Sequence, residues 1–181
     1  MIRRLLLLAS LVGTVGAGAP ETVSDARECR GRLDRTIGYT LDAGFTPDER
    51  AMVEQAMRVW EEGSGDRVRF HDGGSDLVVV KLDRAEQLEP WDPEWVHHVA
   101  LTKGDRVWLV PSRVEEPGEL RALAVHELGH FLGIGHIEDT TTTYMHSTIN
   151  DTPDFLLKHA LLPDRDAQEF CHVHRCTCAL H

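Results

Sequence analysis

Three histidines with fixed spacing constrain the fold of this chain more than any other feature of its sequence. They lie in the segment His126-Glu127-Leu128-Gly129-His130-Phe131-Leu132-Gly133-Ile134-Gly135-His136, which has the form H-E-x-x-H-x-x-G-x-x-H. Residues four apart on an α-helix share a face and are about 6 Å apart along the axis, so His126 and His130 can bind one ion together. Six more residues of helix would rotate His136 about 120° away from that face, so the helix must end before it. Gly133, with Gly135 behind it, tolerates the positive φ that such a turn requires.

These three imidazoles and the acid beside the first of them predict a catalytic zinc site. Zinc bound by three protein nitrogens keeps a fourth position for water, whereas structural zinc sites are closed by four protein ligands, usually including cysteines. Glu127 is placed to take the proton from that water. The alternative is a helix that contains two histidines by chance, which is a common outcome when H-E-x-x-H is the whole match. The third histidine and the glycine in register with it favour the metal site.

A methionine follows the zinc motif, at Met145 in the segment Thr143-Tyr144-Met145-His146. Together the motif and Met145 resemble the metzincin metallopeptidases, in which a Met-turn lies beneath the metal. The resemblance extends over about residues 36–170 and is greatest to the matrixin group. It implies an α+β fold with a mixed, mostly parallel twisted sheet, a zinc-binding active-site helix, a Met-turn and a C-terminal helix.

Local patterns predict elements in the same order. Alternating or continuous apolar residues indicate strands at 36–41, 68–70 and 77–80, and a hairpin of 99–102 with 106–110. Thr46, Pro47 and Glu49 supply an N-cap, a proline in the first turn and a capping box for a helix that ends at Gly63. The zinc helix is expected to begin near Gly118 and Glu119. Its buried face, distinct from the histidines, is expected to contain Leu120, Leu123, Ala124, Leu128 and Phe131 or Leu132. Shorter helices are expected to open at 152–154 and 163–164.

The N-terminus predicts export. Two arginines, Arg3 and Arg4, precede fifteen uncharged, mostly apolar residues, as in a secretory signal peptide. This apolar run is shorter than the roughly 20 residues that a membrane-spanning helix needs. We therefore expect a signal peptide at 1–19, a short segment at 20–35, and a metallopeptidase domain at 36–181 that ends in a Cys/His-rich tail. The expected location is extracellular or periplasmic.

The formal net charge of −11 bears on the partners of the protein. It argues against nucleic acid and against anionic membranes, which attract basic surfaces. The expected partner is a protein or peptide substrate, and the expected state is a monomer.

Four cysteines, Cys29, Cys171, Cys176 and Cys178, fit an exported and oxidised protein. Cys176 and Cys178 are too close in sequence for an easy mutual bridge, so Cys29 is expected to pair with the C-terminal cluster and the remaining two with each other. Two alternatives remain at this point. The Cys/His-rich tail could form a second metal site, or Cys29 could cap the zinc as an inhibitory thiolate.

Further implications come from the matrixin resemblance. Substrate would lie as an extended strand along 99–101, and Ala122 would shape the pocket for the residue after the cleaved bond. Matrixins also tend to hold a structural zinc with histidines on paired strands, but the matching positions are Leu101 and Val107, so one zinc ion is expected. Calcium at the acidic loop 72–76 is conceivable, although a solvated turn is the preferred interpretation.

The sequence as a whole therefore predicts a secreted zinc endopeptidase. His126, His130 and His136 would hold the metal, and Glu127 would act as general base. Ile137 and His146 differ from the residues usual in matrixins at those positions, which leaves another metzincin group open. A catalytically silent zinc-binding or adhesion module of the same fold is the alternative from a different functional class.

Overall fold

The computed structural model describes residues 29–30, 34–92, 98–138, 142–147 and 154–178. The predicted signal peptide at 1–19 lies outside these ranges, as does the predicted helix start at 152–153. Within the described ranges, no helix combines the length and the apolar character needed to cross a membrane.

A five-stranded sheet forms the centre of the fold. The strands of the described residues, in chain order, are β1 (Cys29–Arg30), β2 (Arg35–Leu41), β3 (Val68–Asp72), β4 (Leu77–Lys81), β5 (Ala100–Lys103), β6 (Arg106–Leu109) and β7 (Thr177–Cys178). The order in the large sheet is β3-β2-β4-β6-β5. The β2–β3, β2–β4 and β4–β6 pairs are parallel, and only the hairpin strand β5 runs antiparallel to its neighbour β6. The prediction of a mixed, mostly parallel sheet is confirmed, and β5 forms one edge of it.

In the described part of the chain, four α-helices accompany the sheet: α1 (Pro47–Gly63), α2 (Pro117–Phe131), α3 (Asp154–Lys158) and α4 (Asp164–His174). The predicted start of α1 is confirmed in detail. The Thr46 hydroxyl accepts a hydrogen bond from the Glu49 amide at 3.3 Å, and the Glu49 carboxylate accepts one from the Thr46 amide at 2.7 Å. This reciprocal pair satisfies two backbone donors that the helix leaves without partners.

The zinc helix α2 differs from its prediction in two ways. It begins at Pro117 rather than at Gly118, because the Glu119 carboxylate accepts hydrogen bonds from the amides of Glu115 and Glu116 and so caps an earlier first turn. It is also buried on all sides from Leu120 to Gly129, instead of on one face. Helix α1 packs over part of α2. Its fully buried Trp60 donates a hydrogen bond from Nε1 to the Val125 carbonyl at 2.8 Å.

The acidic loop 72–76 forms a turn. Asp76 accepts a hydrogen bond from the Gly38 amide at 2.9 Å, and Asp72 accepts one from the Gly73 amide at 2.9 Å. Both carboxylates therefore satisfy backbone groups. Calcium at this loop stays a hypothesis of the sequence.

The structure establishes part of the cysteine pairing. Cys171 and Cys176 form a disulfide across the end of α4, which confirms a local pair in the C-terminal cluster and argues against a second metal site there. The pairing also excludes Cys176 as the partner of Cys29. In the small sheet of β1 and β7, Cys29 stands opposite Cys178 in an antiparallel register.

A bridge between Cys29 and Cys178 is therefore our first prediction. It would close a loop of nearly the whole domain and stabilise the fold by about 4 to 5 kcal/mol in the chain-entropy model. Peptide mass mapping of the non-reduced protein is expected to recover the two cysteines in one linked pair of peptides. Recovery of Cys29 as a free thiol would contradict the prediction.

Candidate metal centre and active site

The three histidines of the motif converge on one point. His126 and His130 project from the same face of α2, and their Nε2 atoms are 3.0 Å apart. His136, which follows the helix, brings its Nε2 to 3.1 Å from that of His130. The ligand atoms of all three lie within 4.8 Å of one another, which forms a group that could hold a metal ion.

A tight turn at the end of α2 brings His136 back. Gly133 adopts φ +88°, the left-handed conformation that the sequence predicts for this position. Its amide donates to the His130 carbonyl at 2.9 Å, and the Ile134 amide donates to the Gly129 carbonyl at 2.9 Å. This pair of bonds is the Schellman arrangement, which satisfies the last carbonyls of a helix while reversing the chain.

Backbone carbonyls fix the orientation of two of the imidazole rings. Nδ1 of His126 is 2.6 Å from the Tyr144 carbonyl, and Nδ1 of His130 is 2.8 Å from the Ile134 carbonyl. A carbonyl oxygen only accepts hydrogen bonds, so each Nδ1 carries the proton and each neutral ring presents a lone pair at Nε2. Histidines that bind metals commonly donate their other ring N–H to a backbone carbonyl in this way, which fixes the tautomer and the orientation of the ring.

The resulting donor set fits a zinc ion. Two nitrogen lone pairs at 3.0 Å repel each other unless a cation lies between them. Zn–N bonds of about 2.05 Å in tetrahedral geometry place ligand nitrogens about 3.3 Å apart. The observed separations of 3.0 and 3.1 Å are close to this value.

Burial favours the neutral form of His126 and His130. Desolvation, followed by the neighbouring His130, lowers the pKa of His126 to about 4. The pKa of His130 is lowered as well, mainly by burial. A histidine must be neutral to bind a metal, so both rings are prepared for coordination at neutral pH.

Glu127, the predicted general base, lies beside the histidines and is only 6% exposed. Burial raises the pKa of its carboxyl group to about 7, and a hydrogen bond from Thr102 acts in the opposite direction. The Thr102 hydroxyl on β5 lies 2.6 Å from Oε2 of Glu127. The strand β5 is therefore in direct contact with the acid of the zinc motif.

Met145 is fully buried and packs against the zinc helix at Gly129. A Cβ atom added to Gly129 would come within 2.3 Å of the Met145 sulfur, so the glycine of the motif leaves the space that Met145 fills. The Met145 carbonyl accepts a hydrogen bond from the Ile137 amide at 2.8 Å, which ties the turn to the segment that carries His136. The predicted Met-turn thus contacts both parts of the zinc motif.

A buried carboxylate on α4 holds the Met-turn in place. Asp166 is fully buried; one of its oxygens accepts a hydrogen bond from the Thr143 hydroxyl, and the other accepts from the Tyr144 amide at 2.9 Å. The Thr143 hydroxyl in turn accepts from the Met145 amide at 3.0 Å. Because the Tyr144 carbonyl orients His126, Asp166 supports the metal centre through two intervening residues.

We predict that Asp166→Asn destabilises the protein strongly. The asparagine side chain has one acceptor oxygen in place of two, so its amide group would meet either the Tyr144 amide or the Thr143 hydroxyl as a competing donor. Loss of a charge-assisted bond with a buried donor left unpaired is expected to lower the free energy of unfolding by about 2 to 4 kcal/mol. Urea denaturation measures this free energy.

The exposed Asp154 on α3 provides the control, since Asp154→Asn is expected to change stability by less than about 0.5 kcal/mol. Equal stability of the two variants would contradict the role of Asp166.

Other residues that the sequence suggested occupy varied positions. His146 is not a surface residue, since its side chain is 15% exposed and lies 3.4 Å from Glu138. Ala122, the proposed pocket residue, is 1% exposed and packs in the main hydrophobic core, so its role in specificity stays a prediction. Thr102 and Asp166 were missed. Nothing in the local sequence marks either of them, because each acts on a residue more than twenty positions away.

Comparisons with known proteins agree with this fold. The structure of archaemetzincin from Methanopyrus kandleri is 13% identical, covers 76% of this chain and 93% of its own length, and superimposes with a TM-score of 0.55. That of myroilysin is 14% identical, covers 80% of this chain and 95% of its own, and has a TM-score of 0.51. At such identities the likeness concerns the fold alone.

Sequence comparisons go further. A stretch of 123 residues, 61% of this chain, is 29% identical to a bone morphogenetic protein 1 homolog of Strongylocentrotus purpuratus, of which it spans only 16%. The three-histidine group that could hold a metal ion therefore lies on a fold similar to that of these two structures. The profile of the Matrixin family matches residues 37–172, and the chain belongs to that family.

Proposed function

We propose that this protein is a secreted, zinc-dependent endopeptidase in which His126, His130 and His136 hold the metal and Glu127 is the general base. One observation carries the proposal: three histidine nitrogens converge next to a buried carboxylate, on the helix of a matrixin fold. A zinc site that served only structure would need a fourth protein ligand. Only the three histidines form such a group among the described residues.

Each residue has a defined task in the proposed reaction. Zinc, when bound, polarises the scissile carbonyl and lowers the pKa of a water molecule from about 16 to about 7. Glu127 takes the proton of the attacking water and delivers it to the leaving nitrogen. The water oxygen forms the new bond to the carbonyl carbon as the C–N bond breaks, so no covalent enzyme intermediate is required.

The sheet edge offers a place for the substrate. Among the described residues β5 pairs only with β6, so the backbone groups on its other side can bind an extended peptide. The same strand contacts Glu127 through Thr102. An extended peptide added to β5 would therefore run past the general base, as the matrixin resemblance implies.

Export is part of the proposal. The predicted signal peptide at 1–19 supports it, and so does the disulfide between Cys171 and Cys176, since such bonds persist mainly in oxidising compartments. Processing after residue 19 would leave a short segment, 20–35, before the domain. N-terminal sequencing of the exported protein would locate the cleavage.

A peptide library tests the function and the substrate class together. The purified protein is incubated with random peptides alone, with a chelator, and with chelator followed by added zinc. We expect internal cleavage that the chelator abolishes and zinc restores, with a preference for a large apolar residue just after the cut. Zinc binding without any cleavage would support the silent binding module instead. Cleavage that is insensitive to the chelator would contradict the zinc mechanism.

A further inference from the structure

Thr102 makes an unusual pair of contacts with the proposed general base. Its Oγ1 lies 2.6 Å from Oε2 of Glu127 and 2.9 Å from the backbone carbonyl oxygen of the same residue. An ionised carboxylate only accepts hydrogen bonds, so the hydroxyl donates to Oε2, its nearer and charged acceptor. No position in the zinc motif itself supplies this donor.

We infer that Thr102 is a positioning residue that holds the Glu127 carboxylate in one orientation and leaves Oε1 to receive and pass on the proton. The inference rests on the proposed peptidase function and deepens it. Glutamate has three rotatable side-chain bonds, and a general base must be held within hydrogen-bond reach of the proton it takes. A single fixed donor on Oε2 removes most of that freedom.

The chemistry of threonine on a strand suits this task. Its β-branched side chain has restricted rotation about χ1, so the hydroxyl direction is set largely by the backbone of β5. The Glu127 carbonyl oxygen, 2.9 Å from the same hydroxyl, shows that Oγ1 lies close to the backbone of α2 at the first residue after His126. Because β5 is also the edge strand, the element proposed to align the substrate is the element that aligns the base.

Two substitutions separate the effect of the Thr102 hydroxyl on kcat from the effect of the side-chain shape. Thr102→Val keeps the branched shape and removes the donor, and it is expected to lower kcat about 10- to 100-fold with KM changed less than about 3-fold. Thr102→Ser restores the hydroxyl and is expected to return kcat to within about 5-fold of the wild type. Zinc content is expected to stay equal in all three proteins.

A matched control exists on β2. The Thr40 hydroxyl also donates to a carbonyl, that of Gly74 at 2.7 Å, and it touches no residue of the candidate site among its described contacts. Thr40→Val is therefore expected to retain wild-type kcat. A loss of activity equal to that of Thr102→Val would mean that general destabilisation explains both, and would overturn the inference.

Crystal structures of the metal-free wild type, Thr102→Ser and Thr102→Val provide a readout that does not depend on activity. We expect Glu127 in one rotamer against residue 102 in the first two, and a displaced or multiply oriented carboxylate in Thr102→Val. An unchanged Glu127 rotamer in Thr102→Val would overturn the inference. So would a kcat of Thr102→Val equal to that of a wild-type protein that cleaves peptides. A wild-type protein that binds zinc but cleaves nothing would instead refute the proposed function.

Discussion

Glu127→Gln is expected to lower kcat for peptide cleavage by about 100- to 10,000-fold, the range that a general base contributes. Glutamine has nearly the same shape and can still accept the hydrogen bond from Thr102 through its amide oxygen. It cannot take a proton from water at neutral pH. The zinc content should therefore remain at one ion per chain while the chemistry is lost, and steady-state kinetics with parallel metal analysis measures both.

Glu62→Gln is the matched control for this variant. Glu62 is an exposed residue near the end of α1. Its substitution by glutamine removes the same negative charge from a different helix. Its substitution is expected to leave kcat unchanged. Retention of more than a tenth of wild-type kcat by Glu127→Gln would contradict the assignment of Glu127 as the base.

His130→Ala is expected to abolish both zinc binding and peptide cleavage. His130 is the central ligand, since its Nε2 lies within 3.1 Å of those of both His126 and His136. Its removal leaves only two of the three nitrogens of the group. After dialysis we expect less than about a tenth of an equivalent of zinc, because two imidazoles make a weak site in competition with water.

The loss of the ring also removes a hydrogen bond to the Ile134 carbonyl, which is expected to cost about 1 kcal/mol of stability. Far-UV circular dichroism should show that the variant is still folded. His172→Ala, which changes an exposed histidine on α4, is expected to keep full zinc and full activity. A full equivalent of zinc in His130→Ala would show that the metal binds elsewhere.

Much of the metal centre could be predicted because its information is local. The spacing of His126 and His130 follows from helix geometry, and the turn that returns His136 follows from the tolerance of Gly133 for positive φ. The capping box at Thr46 is equally local, and it too was predicted correctly. In each case the interacting groups are at most ten residues apart.

The support around the centre could not be predicted in the same way. Asp166 reaches the Met-turn from α4, and Thr102 reaches Glu127 from β5, so both contacts depend on how distant elements pack. The pairing of Cys171 with Cys176 could not be predicted either, because the sequence allowed Cys176 or Cys178 as the partner of Cys29. Only the docking of α4 and the register of the small sheet separate these choices.

The start of α2 lies one residue before the predicted position, for a local reason. The sequence places Pro117 before the expected first residue, Gly118, and proline is common in the first turn of a helix. The decisive group is the Glu119 carboxylate, which turns back to cap the amides of Glu115 and Glu116. Complete burial of α2 hides its amphipathic pattern, so periodicity could not locate its boundary.

A zinc titration of the metal-free protein tests the central claim most directly. Peptide cleavage and bound zinc are measured in the same samples as zinc is added in steps below one equivalent and beyond it. We expect no cleavage without metal, a cleavage rate that rises in proportion to bound zinc, and zinc binding that saturates at one ion per chain. Cleavage by the metal-free protein, or a saturated zinc site with no cleavage of any peptide, would contradict the central claim.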